Sequence, residues 1–190
     1  NQRSLTLLNV NCLLAGVINT LSKGNQRVID IGCGKGTYSI LAAQHSNDVL
    51  GVDLSIPFFP EGTKKMTVTD LKNGKLNFVQ SNILELPISA PYDAALCIGV
   101  LHYLKSDLEV KQFIQYLKKL LKKSSLLYLS WISDKINYYT DKFLPPTSSV
   151  NEIIQNEFNR IFQEEVIIEH QHGNHPLHKH QIEYLILKIL

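Results

Sequence analysis

The chain has 190 residues, 44% of them hydrophobic and 19% charged, a balance that fills one sizeable core. That composition excludes intrinsic disorder, a collagen-like repeat and a coiled coil. Lysine and arginine total 19 against 17 acids, a formal net charge of +2, without the basic excess of a dedicated nucleic-acid binder.

The longest apolar run, residues 94–101, is far short of the ~20 residues a membrane helix needs. Cys12, Cys33 and Cys97 are scattered, with neither a disulfide framework nor zinc-ligand spacing. We therefore expect a reduced, cytoplasmic protein, folded as one domain over residues 1–190. The chain starts at Asn1 without an initiator methionine or a secretory signal, so a preceding domain or partner chain in front of it is the open alternative.

Residues 4–22 place Leu7, Leu8, Leu14, Val17, Ile18 and Leu21 at helical spacing, and Gly24 supplies a stop. Residues 1–24 thus read as a leading helix. A short buried strand, residues 28–31, runs straight into the glycine-rich GCGKG of residues 32–36. A helix over 37–46 and a strand over 48–53 follow. Prolines at 57 and 60 break the pattern, which resumes with strands over 76–81 and 92–98. Ser106 with Glu109 and Ser149 with Glu152 each form a capping box opening a helix. The first helix turns Val110, Phe113, Ile114, Leu117, Leu120 and Leu121 to the core. The second is expected to turn Ile153, Ile154, Phe158, Ile161 and Phe162 inward. Between them residues 125–131 read as a fifth strand. Residues 165–172 and 179–190 form the last two strands, joined by a turn at Gly173 and Asn174. Strands alternating with helices imply a parallel sheet covered on both faces. The fold class is therefore α/β: a doubly wound, mostly parallel seven-stranded sheet that ends in an antiparallel hairpin.

A glycine turn between strand and helix lets the backbone approach a ligand closely. Asp53, closing the next strand, is an acceptor suited to both hydroxyls of a ribose. A dinucleotide fingerprint would place its third glycine one position beyond Gly36. Asp30, two residues before Gly32, would repel a diphosphate but suit a cation. S-adenosylmethionine carries a sulfonium and an ammonium and no phosphate, so this charge pattern favours it over NAD.

Residues 28–38, VIDIGCGKGTY, resemble motif I of the class I S-adenosylmethionine-dependent methyltransferases, a Rossmann-like family. Gly51, Val52 and Asp53 match the ribose acid that follows in that family. The resemblance implies that Asp30, Gly32, Cys33, Gly34 and Gly36, with Thr37 and Tyr38, form the cofactor turn. It implies that Leu54 stands beside the ribose acid, and that Asn82 and Ile83 read the adenine. Residues 92–104 look like the family's fourth-strand motif, with Ile98 and Gly99 covering the methionine part. The family's sheet also ends in an antiparallel hairpin. The departure is residues 57–75, where the family has a clean helix.

Methyl transfer from a sulfonium needs the acceptor held in line, and no metal. His102 and Tyr103 follow the fourth strand and are the candidate catalytic groups; a base matters only if the acceptor is protonated. Tyr138 and Tyr139 either line an aromatic pocket or pack as loop residues, and Trp131 reads as core. Residues 97–100 lack the Asn/Asp-Pro-Pro-aromatic motif of base-amine methyltransferases. Lys118, Lys119, Lys122 and Lys123 read as a solvated helix end. Five histidines, His170, His172, His175, His178 and His180, read as a polar hairpin edge rather than a metal site. We thus expect S-adenosylmethionine as cofactor, a small-molecule acceptor, and neither a nucleic-acid nor a membrane partner. Aminocarboxypropyl or carboxymethyl transfer from the same cofactor, and a non-catalytic methyltransferase-like module, are the alternatives.

Overall fold

The computed structural model of the protein describes residues 26–44, 48–57, 59, 65–68, 74–87, 91–136, 138, 143–171 and 176–190. The expected leading helix, with Tyr139, His172 and His175, lies outside them. Among the described residues eight strands form one sheet in the order β3-β4-β2-β1-β5-β6-β8-β7. They are β1 (Arg27–Ile31), β2 (Asp48–Asp53), β3 (Lys65–Val68), β4 (Lys75–Gln80), β5 (Tyr92–Ile98), β6 (Leu121–Ile132), β7 (Phe158–His170) and β8 (His178–Ile189). Three helices accompany them: α1 (Thr37–Ala43), α2 (Asp107–Leu120) and α3 (Thr147–Ile154). The sheet is parallel from β4 through β2, β1 and β5 to β6, and antiparallel at both margins.

The expected α/β fold with a closing hairpin is present, with eight strands instead of seven. The additional strand, β3, pairs antiparallel with β4 inside residues 57–75, the stretch read as the departure from the family's helix. Its threonine and valine suit the pleated edge of a sheet better than a helix.

Each face of the sheet carries its own apolar cluster. One packs Ile29, Ala95, Leu129 and Leu185 under α2 and α3 through Val110, Ile114, Leu117 and Ile154. The other packs Val28, Phe78, Leu96 and Tyr184 under α1. Burial from both sides explains why β1 and β5 are mostly apolar, with Val28, Ile29 and Ile31 in one and residues 94–98 in the other. Trp131 is fully buried, as expected, and its Nε1 donates to the Pro145 carbonyl at 3.2 Å.

The Ser106 cap forms, with the Glu109 amide donating to Ser106 Oγ at 3.3 Å. The Glu109 carboxylate closes the box one residue early, accepting from the Lys105 amide at 3.0 Å. The second capping box does not open a helix. Helix α3 begins at Thr147 after Pro146, so Ser149 and Glu152 lie inside it. Pro146 takes the cap position, its ring holding φ at −60, and the buried Glu183 of β8 accepts from the Thr147 hydroxyl at 2.9 Å and pairs with Lys135 at 3.4 Å. Phe158, Ile161 and Phe162 belong to β7, because pairing with β8 along its whole length overrides their helical spacing. Ile161 stands at the register shift between Arg160 and Phe162 and is exposed. Helix α2 ends at Leu120, which puts Lys122 and Lys123 in β6; Lys118 pairs with Glu157 and Lys122 with Asp93.

One row of facing residues crosses the sheet beneath α1: Phe78, Gly51, Asp30, Leu96 and Tyr128. Gly51 is required there by close packing. A Cβ at that position would stand 2.5 Å from the Phe78 ring and 2.9 Å from Ser39 Oγ. Gly51→Ala is expected to lower stability by about 1–3 kcal/mol, and Phe78→Leu in the same chain to recover part of it. Denaturant unfolding of the single and double variants checks this; an unchanged midpoint for Gly51→Ala would contradict it.

Candidate functional site

The chain passes from β1 through α1 to β2, and later returns to β5 on the other side of β1. Strand order therefore reverses between β1 and β5, which opens a crevice beyond their carboxyl ends. A cavity of about 790 Å³ lies there. Its size falls within the range of small-molecule sites.

The glycine turn forms its floor. The amides of Gly32 and Cys33 both donate to the Val52 carbonyl, at 2.8 and 3.2 Å, which fastens the turn to the end of β2. Gly34 has φ +51, and a Cβ on it would meet only open space. Asp53 stands beside it: Oδ2 accepts from the Gly34 amide at 2.8 Å and Oδ1 from the Ser55 amide at 3.0 Å. The amide that a phosphate would take in a dinucleotide site is thus already engaged by a carboxylate.

Of the residues singled out in the sequence, Gly32, Gly34, Asp53, Leu54, Asn82, Ile83, Ile98, Gly99 and Tyr103 line the cavity together. Asn82 caps a single 3₁₀ turn, Ile83–Glu85, with its Oδ1 accepting from the Leu84 amide at 3.1 Å. Tyr103 stands at the mouth, 74% exposed. His102 lies behind it on the turn Leu101–Tyr103, with its ring 4.5 Å from that of Tyr103. Its Cε1 would stand 3.5 Å from a Cβ on Gly99, so the ring flanks the loop beside the cavity.

Asp30, Cys33, Gly36, Thr37 and Tyr38 do not line it. Gly36 caps α1 with φ +75, and Thr37 and Tyr38 open that helix. Asp30 is buried under α1 and accepts from Ser39 Oγ at 2.5 Å. Burial pushes its carboxyl up to about 6, against the pull of the hydrogen bonds from Ser39. Burial, with the charges of Asp30 and Asp53, raises the Cys33 thiol to about 12, so it stays protonated and unreactive at neutral pH.

Lys35, Ser55, Pro57, Leu84, Val100, Leu104 and Phe113 also line the cavity. Phe113 was legible only as a core position of α2; Val100 and Leu104 fall inside the fourth-strand stretch 92–104. At the far end of the sheet Tyr138 stacks on His178 with ring centres 4.1 Å apart, and His178 and His180 stand 4.7 Å apart. Among the described residues no three histidine, cysteine or acidic side chains stand together as metal ligands. No helix among them is long and apolar enough to cross a membrane.

An open α/β sheet with a glycine turn after its first strand, an acid closing its second and a cavity at the switch point defines a nucleoside-cofactor domain. A family model described as a methyltransferase domain matches residues 28–124, and the chain belongs to that family. The ubiquinone biosynthesis O-methyltransferase of Rickettsia conorii is 29% identical over 116 residues, which cover 60% of this chain and 37% of that protein. The chain spans less than half the length of the first curated relatives it matches. Among solved structures it is similar to a SAM-dependent methyltransferase from Methanosarcina mazei, with a TM-score of 0.68 and 17% identity over 92% of this chain and 97% of that one. It is also similar to the N-methyltransferase NodS of Bradyrhizobium japonicum, solved with S-adenosyl-L-homocysteine, with a TM-score of 0.66 and 13% identity over 94% of this chain and 86% of that one. The fold is that of class I S-adenosylmethionine-dependent methyltransferases.

The Asp30 carboxyl yields a test of the turn's electrostatics. In the unfolded chain it ionises near 3.8; folded, it keeps its proton to about pH 6. Stability therefore falls as pH rises between these values and stays lowered above them, by about 3 kcal/mol. Asp30→Asn, which keeps an acceptor for Ser39, is expected to be the more stable protein at pH 7, with the gain vanishing towards pH 4. Thermal unfolding across that range checks it, and a gain independent of pH would contradict the burial argument.

Proposed function

We propose that the protein is an S-adenosylmethionine-dependent methyltransferase that methylates a hydroxyl of a small molecule. The observation that carries the reading is the Asp53 carboxylate at the cavity wall, anchored by two backbone amides. Each oxygen keeps a free lone-pair direction, so the group accepts from both hydroxyls of a ribose. Leu54, Ile83 and Leu84 supply apolar walls for a flat base, beside the polar edge of Asn82. Open space above Gly34 leaves room for backbone contact with the ligand. The residues present therefore fit an adenosyl sulfonium, and the engagement of the Gly34 amide disfavours a diphosphate.

When bound, S-adenosylmethionine supplies a methyl carbon already activated by its positive sulfur. The chain's task is to hold an acceptor oxygen in line with that carbon and to keep water away, a proximity effect that reaches ~7–11 kcal/mol. Ile98, Gly99 and Val100 flank the end of the site where the acceptor would arrive, with Tyr103 over the mouth. His102, held against the same loop although it does not line the cavity, is the proton acceptor we assign to a hydroxyl. The similarity to the Rickettsia conorii ubiquinone biosynthesis O-methyltransferase supports oxygen as the atom methylated.

Calorimetric titration with S-adenosylmethionine, S-adenosylhomocysteine and NAD tests the reading. The two adenosyl ligands are expected to bind and NAD not to. Asp53→Ala should weaken adenosyl binding by about 1.5–3 kcal/mol, the cost of losing a charged hydrogen-bond partner. Tighter binding of NAD, or undiminished affinity in Asp53→Ala, would overturn it.

A further inference from the structure

Asp30 is a buried carboxyl without a counter-charge. It is 1% exposed and accepts from Ser39 Oγ at 2.5 Å. Among the described residues no lysine, arginine or histidine pairs with it. The titratable groups that face it are neutral or negative. The Tyr38 phenol on α1, the Cys33 thiol in the turn and the Cys97 thiol on β5 keep their protons through neutral pH, held up chiefly by burial. The Asp53 carboxylate at the end of β2 adds repulsion. A carboxyl in such company ionises only at a cost, unless a positive charge arrives near it.

The strand fixes where such a charge can arrive. Asp30 is followed by Ile31 and Gly32, and both of these line the cavity. Two residues of strand advance the chain about 7 Å, so a group lying on the turn stands roughly 10 Å from the carboxyl, across protein rather than water. An adenosyl sulfonium brings a positive sulfur into that space. Its demethylated product has the same adenosine and the same amino-acid arm, with a neutral thioether in place of the charge. Resting on the cofactor reading above, we propose that Asp30 is a specificity-determining residue that acts through the turn: ionised, it favours the charged cofactor over the neutral product, and a proton on it cancels that preference. The sulfur charge and the buried carboxylate supply each other's missing partner. A bound cation stabilises the ionised carboxyl, so cofactor binding expels a proton from Asp30 that product binding leaves in place. The folded carboxyl keeps its proton to about pH 6, so the preference for the cofactor rises as pH passes upward through that value.

Calorimetric titrations with S-adenosylmethionine and S-adenosylhomocysteine between pH 5 and 7 test this. The ratio of the two affinities is expected to move towards S-adenosylmethionine by about three- to ten-fold over that range, the size of one unit charge acting on another across about 10 Å of protein. Titrations near pH 6 in buffers of different ionisation enthalpy should show S-adenosylmethionine releasing more protons than the homocysteine does. Asp30→Asn, which keeps an acceptor for Ser39, should bind both ligands with a ratio that is level across the range, and should lose the difference in proton release. A level ratio in the parent protein would overturn the inference and leave the cofactor reading intact. So would a shift that persists in Asp30→Asn, because it would belong to another group such as His102. Failure of the parent to bind either ligand would overturn the cofactor reading, and this inference with it.

Discussion

The Asp53 carboxylate is the interaction on which the site depends. By accepting from the amides of Gly34 and Ser55 it ties the turn after β1 to the segment after β2. The turn can then hold backbone angles that only glycine adopts easily, with φ +71 at Gly32 and +51 at Gly34. Two backbone donors also keep the carboxylate fixed, so its remaining lone pairs face the cavity without rotamer freedom to be lost on binding. The same contact sets the chemistry the cavity accepts. It engages a donor that an anion would need and presents a negative wall instead.

Two acids flank the turn, and they do different work. Asp53 is solvent-accessible and faces the cavity, whereas Asp30 is sealed below α1 against the Ser39 hydroxyl. Burying Asp30 opposes folding, and the hydrogen bonds from Ser39 offset only part of that cost. Gly51 lets Phe78 and Ser39 close over the same spot. A destabilised group beneath a ligand-facing turn follows a common pattern, in which local stability is given up to hold a site in shape.

Strands β1, β2 and β5 were legible in the sequence, for identifiable physical reasons. They are short apolar runs with sharp ends, and Gly32, Gly34 and Asp53 fall at those ends, where sheet topology makes a crevice. Their convergence needed no long-range information. Asp30 is buried beneath α1 and does not line the cavity, a placement that alternation along β1 with Val28 accounts for. Where the reading failed, pairing distant in sequence decided the outcome. Phe158 and Phe162 have helical spacing, but β8 recruits them into a strand thirteen residues long. Helix α3 starts after Pro146, and its first residue, Thr147, donates to Glu183, thirty-six residues on.

The connection between β6 and α3 is held by contacts of the same long-range kind. Trp131 reaches Pro145, and Glu183 gathers Lys135 and Thr147, so both ends of the connection between β6 and α3 are fastened to the sheet. That leaves the adenosyl end of the cavity as the part whose chemistry local residues specify. A crystal structure with S-adenosylhomocysteine bound measures the central claim directly. The expected result is both ribose hydroxyls within about 3 Å of the two Asp53 carboxylate oxygens, with the Gly34 amide still on Oδ2. A ligand whose ribose lies elsewhere, or a turn that releases Asp53 to take an anion on the Gly34 amide, would contradict it.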